Sequence, residues 1–465
     1  MKIKRFFKNV MVFFTGDVLS KLVALFLLPL YTSKILPEQY GTYDLIISIV
    51  YLIAPVAFVQ VWEGLFRFSF DYTEKSDKYK VINNASVVFV LGLVVYVLLF
   101  LTVAQFFNAE YIEYALFYGF AYTLQYIYSF AARAFFKNKL FSLSGVINAL
   151  TSALCNIVLI LVFKWDVKAL YVSQIVGIVV QVAIIEVNLK LIKNFKRKDV
   201  DKGIIKTLVK YSFPLCVSSV SYWLLNSFTK VIIDRKLGAY YNGLYVVTNK
   251  FSSTLVILST VFQYAWNELA FLMVNEEDKT KSYSTCADLM FKTVFFGSAV
   301  ITILIKLIFP LFVAEQYGEA INIVPATILG VGMNCLAGML GTLFMAEKNT
   351  SFILISTLVA ATINTVASWF LCVYIGLNGV LIILAVAFTL LMVLRLVTLR
   401  VKYKITIKLD NLLVILVYPA TVVAYYLIDS ILLSIGVVIV FMALYLLSIK
   451  GVILKFLKSK SNKGE

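Results

Sequence analysis

Apolar residues recur along this chain in runs of about twenty to thirty, broken by short polar stretches that are mostly basic. Each run is long enough to cross a bilayer as a helix at 1.5 Å per residue. The weak ten-residue alternation of a transmembrane barrel is not seen. The pattern predicts an all-α polytopic membrane protein with about fourteen transmembrane helices. They are expected at 9–31, 42–66, 82–105, 112–132, 142–163, 168–189, 207–229, 243–271, 285–309, 321–345, 351–374, 376–399, 409–428 and 430–449. The first run follows a basic start, "MKIKRFFK", like that of a secretory signal. It is too long for one, carries Asp17 and Lys21, and has no small-residue cleavage site before Pro29, so it is read as the first span.

The polar breaks alternate in charge. Lys and Arg crowd into the amino terminus, the even-numbered breaks and the carboxyl-terminal tail, and are sparse in the others. By the positive-inside rule both termini are cytoplasmic. The composition agrees, with 61% apolar and 14% charged residues, and the net charge of +17 is assigned to topology, not to nucleic acid. The five cysteines contain no CxxC pair and there is no histidine, so a disulfide framework, a zinc site and histidine-based catalysis find no support. No outer loop is long enough to fold into a catalytic domain. The chain is expected not to be an enzyme and to need no cofactor or metal.

Two stretches echo each other. "ILPEQYGTYDLIISI" in the first hairpin resembles "KLGAYYNGLYVVTNK", with Leu36, Gly41 and Tyr43 matching Leu237, Gly243 and Tyr245 across one inserted residue. "FFKNKLFSLSGVINA" pairs similarly with "FMAEKNTSFILISTL". Repeats of like orientation imply two parallel six-helix halves around a central cavity, plus two extra carboxyl-terminal helices. The expected divisions are 1–189, a cytoplasmic linker 190–206, 207–400, spans 13 and 14 at 401–450, and a basic tail 451–465. Polar residues within spans should face the cavity and not lipid. They concentrate in the first two spans of each half, and spans 13 and 14 are expected to meet lipid.

Lys21 lies about 18 Å from the cytoplasmic end of its span, too deep to snorkel with ease, and Lys250 is similarly deep. Asp17 and Lys21 share a helical face at i, i+4, and Glu63 and Arg67 repeat that spacing as an expected intramembrane pair. Two deep cations with few unpaired acids imply an anionic ligand.

At Lys21, "PLYT" (29–32), "YGTYDL" (40–45), "FRF" (66–68), "KYSFPL" (210–215), "LGAYYNGLYVVTNK" (237–250) and "FQYAW" (262–266), the chain resembles Wzx-type polysaccharide-repeat flippases. These belong to the multidrug/oligosaccharidyl-lipid/polysaccharide (MOP, MATE-like) exporter superfamily. It departs from the usual pattern at Thr229 and Lys230, where an acid before a base is commoner, and at Asn267, where proline is commoner. The resemblance implies alternating-access transfer of a prenyl-diphosphate-linked oligosaccharide across a bacterial cytoplasmic (inner) membrane, for O-antigen, capsule or other surface polysaccharide. Lys21, Lys250 and Arg67 would attract the diphosphate. Ser219, Tyr222, Asn226, Gln263 and Trp266 would face the sugars, and Asp17 or Glu268 would take a coupling proton or sodium ion. The expected partners are the lipid-linked oligosaccharide, membrane lipids, a polysaccharide polymerase and glycosyltransferases, acting with a monomer. A MATE-type drug/cation antiporter and a lipid II flippase of the same fold remain alternatives, and a membrane polysaccharide polymerase is a more distant one.

Overall fold

A computed structural model describes residues 22–23, 25–107, 111–272, 279–347, 349–406 and 410–461. They form helices with no strand among the described residues. By contact the chain divides into two compact units, Met1–Val246 and Val247–Glu465. Compactness thus divides the chain inside a helix, whereas the internal echo suggests a division at the linker.

The first unit contains α1 (Leu28–Lys34), α2 (Pro37–Ala57), α3 (Val61–Ser69), α4 (Lys75–Ala104), α5 (Ile112–Ala134), α6 (Asn138–Ile157), α7 (Lys168–Leu189), α8 (Lys202–Asn226) and α9 (Phe228–Lys236). It ends on the first turns of α10 (Ala239–Leu272). Pro37 opens α2 at a position whose N–H would have no helical partner. Asp201 caps α8 by accepting from the Gly203 and Ile204 amides at 2.5 and 3.2 Å. Leu45, Ile49, Val50, Phe58, Trp62, Tyr96 and Tyr171 form one buried cluster, and Val61, Leu65, Ile82, Ala85, Ile127 and Leu208 another. In lipid such packing holds helices together by close fit, because burial from water supplies no drive between them.

The expected span 42–66 is broken. Val59 and Gln60 both adopt left-handed backbone (φ 51° and 48°). The Gln60 amide donates to the Pro55 carbonyl at 3.0 Å and the Val59 amide to Val56 at 3.3 Å, the paired bonds of a Schellman helix end. A β-branched residue in that conformation is uncommon, so apart from Pro55 nothing in the run predicts the break.

The second unit holds the rest of α10, α11 (Lys279–Phe312), a 3-10 segment (Glu315–Ile323), α12 (Val324–Ala346), α13 (Thr350–Tyr403), α14 (Asp410–Leu427) and α15 (Ile431–Ser461). Gly376, at φ 63° and ψ −168°, breaks α13 between the two spans expected there. Within this unit α14 and α15 pack on α11. The Lys306 ammonium donates to the Tyr425 and Ile428 carbonyls at the end of α14, at 2.6 and 2.7 Å. The outer face of α15 stays open, with Leu432 and Leu447 81% and 67% exposed, as a lipid-facing helix requires.

Eight helices among the described residues are long and apolar enough to cross a membrane. The long helices α5, α8 and α10 fall outside that set, and they carry much of the polar chemistry described next.

Candidate functional site

The echoed motifs meet. A Cβ on Gly41 would lie 2.2 Å from the Ala239 carbonyl oxygen, and one on Gly243 would lie 2.0 Å from that of Pro37. Pro37 and Ala239 occupy the same place four residues before each glycine, so the contact is reciprocal, as a pseudo-two-fold between repeated hairpins demands. The starts of α2 and α10 cross there backbone to backbone, a close approach that only glycine permits. The fully buried Asn242 amide bonds the Gly41 carbonyl at 2.8 Å. Beside it Lys230 on α9 pairs with Asp44 on α2, and Tyr43 packs edge-on to Tyr171 at 4.7 Å.

Farther along α2 and α3, one face of α8 supplies polar partners. The Trp223 indole N–H donates to the Ser48 carbonyl at 2.6 Å, Gln60 donates to the Ser219 hydroxyl at 2.8 Å, and the Gly64 amide donates to the Ser212 hydroxyl at 3.2 Å. Residues 212, 219 and 223 recur at helical spacing, which is why one face of α8 can serve both sides of the α2–α3 break. The Gln60 side-chain amide oxygen is buried and has no hydrogen-bond partner among the described residues.

Behind this seam α5 presents Tyr118, Tyr122, Tyr126 and Phe130 one turn apart. The Tyr118 hydroxyl lies 3.0 Å from that of Tyr51, and Tyr122 donates to Tyr126 at 3.2 Å. Tyr126 packs 5.0 Å from Trp62 and Phe130 5.5 Å from Phe66. Gln181 accepts from the Gln125 and Asn148 amides at 2.6 and 2.8 Å and donates to Ser129 at 3.4 Å. The result is a wall of rings, hydroxyls and amides with few carboxylates. At its end the Arg133 guanidinium lies 4.5 Å over the Phe66 ring and 5.1 Å over that of Phe130.

A family model described as "Polysaccharide biosynthesis protein" matches residues 6–267, more than half of the chain. The chain belongs to that family. Among solved structures, the lipid II flippase MurJ in an inward closed conformation is similar at a TM-score of 0.70 and 14% identity, over 95% of this chain and 100% of that one. An inward-facing multidrug resistance MATE family transporter of the MOP superfamily reaches 0.66 at 15% identity, over 86% of this chain and 95% of that one. A MOP superfamily transporter from Pyrococcus furiosus, described as having a binding pocket of reverse polarity, reaches 0.61 at 15% identity with the same coverages. No curated protein matches the chain. These likenesses establish the fold, that of MOP transporters, in a multi-pass membrane protein.

The expected site residues distribute unevenly. Asp17 and Lys21, and the side chain of Glu268, lie outside the described residues. Ser219 joins the α8 seam, Tyr222 on the same helix is 56% exposed, and Asn226 donates to the Tyr222 carbonyl at 2.9 Å. Lys250 is half-buried in α10, within the second unit. Gln263 donates to the Thr342 hydroxyl at 3.2 Å.

Two expectations are corrected. Trp266 does not face open space: it is 2% exposed, donates its indole N–H to the Met339 carbonyl at 2.9 Å and packs on Tyr283. A buried indole needs an acceptor, and α12 supplies it. Glu63 and Arg67 do not form the expected pair. Arg67, half-exposed at the end of α3, reaches one turn onward to Asp71 at 2.7 Å, and the cation acting on Glu63 is Arg133 of α5.

Sequence reasoning missed three features. Gln60 carried a signal, being an amide in an apolar run. Arg133 and Arg395 fall at the basic breaks between apolar runs, where charge serves topology and hides any other role. Arg395 is 5% exposed, and its guanidinium donates to the Ala337 carbonyl at 2.6 Å and to the Ser356 and Thr357 hydroxyls at 3.3 and 3.0 Å. Gly341 leaves room for it, since a Cβ there would lie 2.9 Å from the guanidinium.

Proposed function

We propose that the protein is a flippase carrying a prenyl-diphosphate-linked oligosaccharide repeat unit from the cytoplasmic to the outer leaflet by alternating access, for surface polysaccharide synthesis. The observation that carries this reading is membership of a polysaccharide biosynthesis family in a chain with the fold of MOP transporters. The neutral wall of the first unit supports it, because tyrosine rings, hydroxyls and amides offer sugars apolar faces with paired donors and acceptors. In this reading Lys21, Lys250 and Arg67 attract the diphosphate, and Ser219, Tyr222, Asn226 and Gln263 contact the glycan. A lysine ammonium is a compact point charge that suits a ligand which must be released, where a bidentate arginine would clamp it. Asp17 or Glu268 takes a coupling proton or sodium ion. The protein acts as a monomer in the cytoplasmic membrane with both termini inside, alongside polymerase and glycosyltransferases.

The test is the leaflet distribution of lipid-linked oligosaccharide in cells that lack the protein, restored with either the native chain or Lys21→Ala. The expected result is retention in the inner leaflet in the deletion and in the variant, with transfer restored by the native chain. Normal outer-leaflet carriage in the deletion overturns the reading. A lipid II flippase is the second reading, favoured by the likeness to MurJ over 95% of the chain. In that case lipid II, and not the repeat unit, accumulates in the deletion.

A further inference from the structure

The segment between α7 and α8 is fixed to the first unit at both ends. Lys190 ends α7 in left-handed backbone (φ 53°), and the Glu186 carboxylate accepts from the Leu191 and Ile192 amides at 2.9 and 3.1 Å. Tyr79 on α4 donates to the Leu189 carbonyl at 2.7 Å. At the far end Asn84, fully buried in α4, donates to the Asp199 carbonyl at 2.9 Å and accepts from the Asp201 amide at 2.7 Å. A twelve-residue connection between two long helices would ordinarily wander, and this one is held by side chains from beneath.

The outward face carries cations and apolar side chains. Lys190, Lys193, Lys196, Arg197 and Lys198 are all exposed, and none forms an ion pair among the described residues. The neighbouring acids Glu186 and Asp201 are turned onto backbone amides. Among the cations stand large apolar side chains with nothing over them, Ile192 at 72% and Phe195 at 44% exposure, next to Val187 at 73% on the last turn of α7. Because the segment continues from the end of α7, which is long and apolar enough to cross a membrane, it lies at the boundary between lipid and water. Cations interspersed with apolar side chains match a surface that is negatively charged outside and hydrocarbon a few ångströms deeper. An acidic protein or a nucleic acid offers the charge without the apolar layer beneath.

We infer that residues 187–198 form a preorganised site for the headgroups of anionic phospholipids in the leaflet they meet, with Ile192, Phe195 and Val187 entering the acyl boundary. The backbone bonds from Asn84 and Glu186 hold the cations in register, so that little ordering remains to be done on binding. This site is independent of the cargo and of the proposed transport reaction.

The test uses the full-length protein in nanodiscs made from equal parts phosphatidylglycerol and phosphatidylcholine, with the lipids retained after detergent exchange quantified by mass spectrometry. Three proteins are compared: the native chain; a variant with Lys190, Lys193, Lys196, Arg197 and Lys198 all changed to Gln; and a charge-matched control with Lys75, Lys139, Arg400, Lys402 and Lys404 changed to Gln. The native chain is expected to enrich phosphatidylglycerol. The linker variant is expected to lose at least about fivefold of that enrichment, the effect of a single such contact, while the control keeps it. Equal loss in the two variants, or no enrichment by the native chain, overturns the inference. If the fivefold variant fails to fold, Lys196, Arg197 and Lys198 changed to Gln are compared with Arg400, Lys402 and Lys404 changed to Gln, with the same outcomes.

Discussion

Replacing Gly41 with Ala sets two effects of opposite sign against each other. An alanine inside an ordinary helix is worth about 0.5–1 kcal/mol over glycine. Here the added Cβ would lie 2.2 Å from the Ala239 oxygen and 2.5 Å from the Gly243 nitrogen. A carbon and a carbonyl oxygen rest at about 3.3–3.6 Å, so the crossing must open by about 1 Å. That lengthens the Asn242 to Gly41 bond from 2.8 Å to beyond hydrogen-bonding range and strands a fully buried amide. A stranded amide costs about 1–3 kcal/mol and overpacking a further 1–3 kcal/mol or so, which outweighs the helix gain. Thermal unfolding of the detergent-purified chain should therefore fall for Gly41→Ala. It should fall comparably for Gly243→Ala, whose Cβ would meet Pro37. Gly145→Ala, with nothing within 4 Å of its Cβ, is the reference and should be neutral or stabilising. If all three variants unfold together, the reciprocal crossing is not a tight contact and the reasoning fails.

Val59→Gly should raise the unfolding midpoint, because a left-handed β-branched residue carries about 1–2 kcal/mol of strain that glycine lacks; a lower midpoint would mean that lost packing dominates. Trp266→Phe keeps one aromatic ring but removes the indole N–H bonded to Met339 and leaves a void in a buried site, so it should cost at least about 1 kcal/mol in the same assay. An unchanged midpoint with altered transport would return Trp266 to an open surface. Asp234 on α9 has its carboxyl pKa raised by burial, partly countered by Arg235. Its folded pKa lies above the unfolded one, so its contribution to stability is present at low pH and is lost as pH rises through the folded pKa. Asp234→Asn should flatten that decline in a stability profile from pH 3 to 7, and an identical slope in the variant would refute it.

The hydropathy pattern located most helices closely, and α7 has the bounds expected of it, Lys168–Leu189. The echo of "YGTY" in "YNGLY" marked the two hairpins whose glycines touch. Other features escaped because they depend on partners remote in sequence. Trp266 shares a helical face with Gln263 and was read with it as cavity wall, but a side chain's period does not say which helix will cover it. Arg395 sits where an apolar run gives way to a basic loop, so counting charge by side assigned it to topology. The Glu63 pairing failed because i, i+4 spacing allows a pair without choosing between Arg67 and a cation on another helix. The break at Val59 had only Pro55 to announce it.

That break gives the hairpin a joint. The bonds that close α2 at Pro55 and Val56 belong to the end of one rod, and the first turn of α3 begins another, so the angle between the rods can change with no helical bond broken. One rod is gripped at its start by the glycine crossing, the other along its length by the hydroxyls of Ser212 and Ser219. Pro214, between those two serines, removes a rung from α8 as well. A compliant point in each of two bonded elements means that a small rotation of α8 would be conveyed through its serines to α3 while the glycine crossing stays shut.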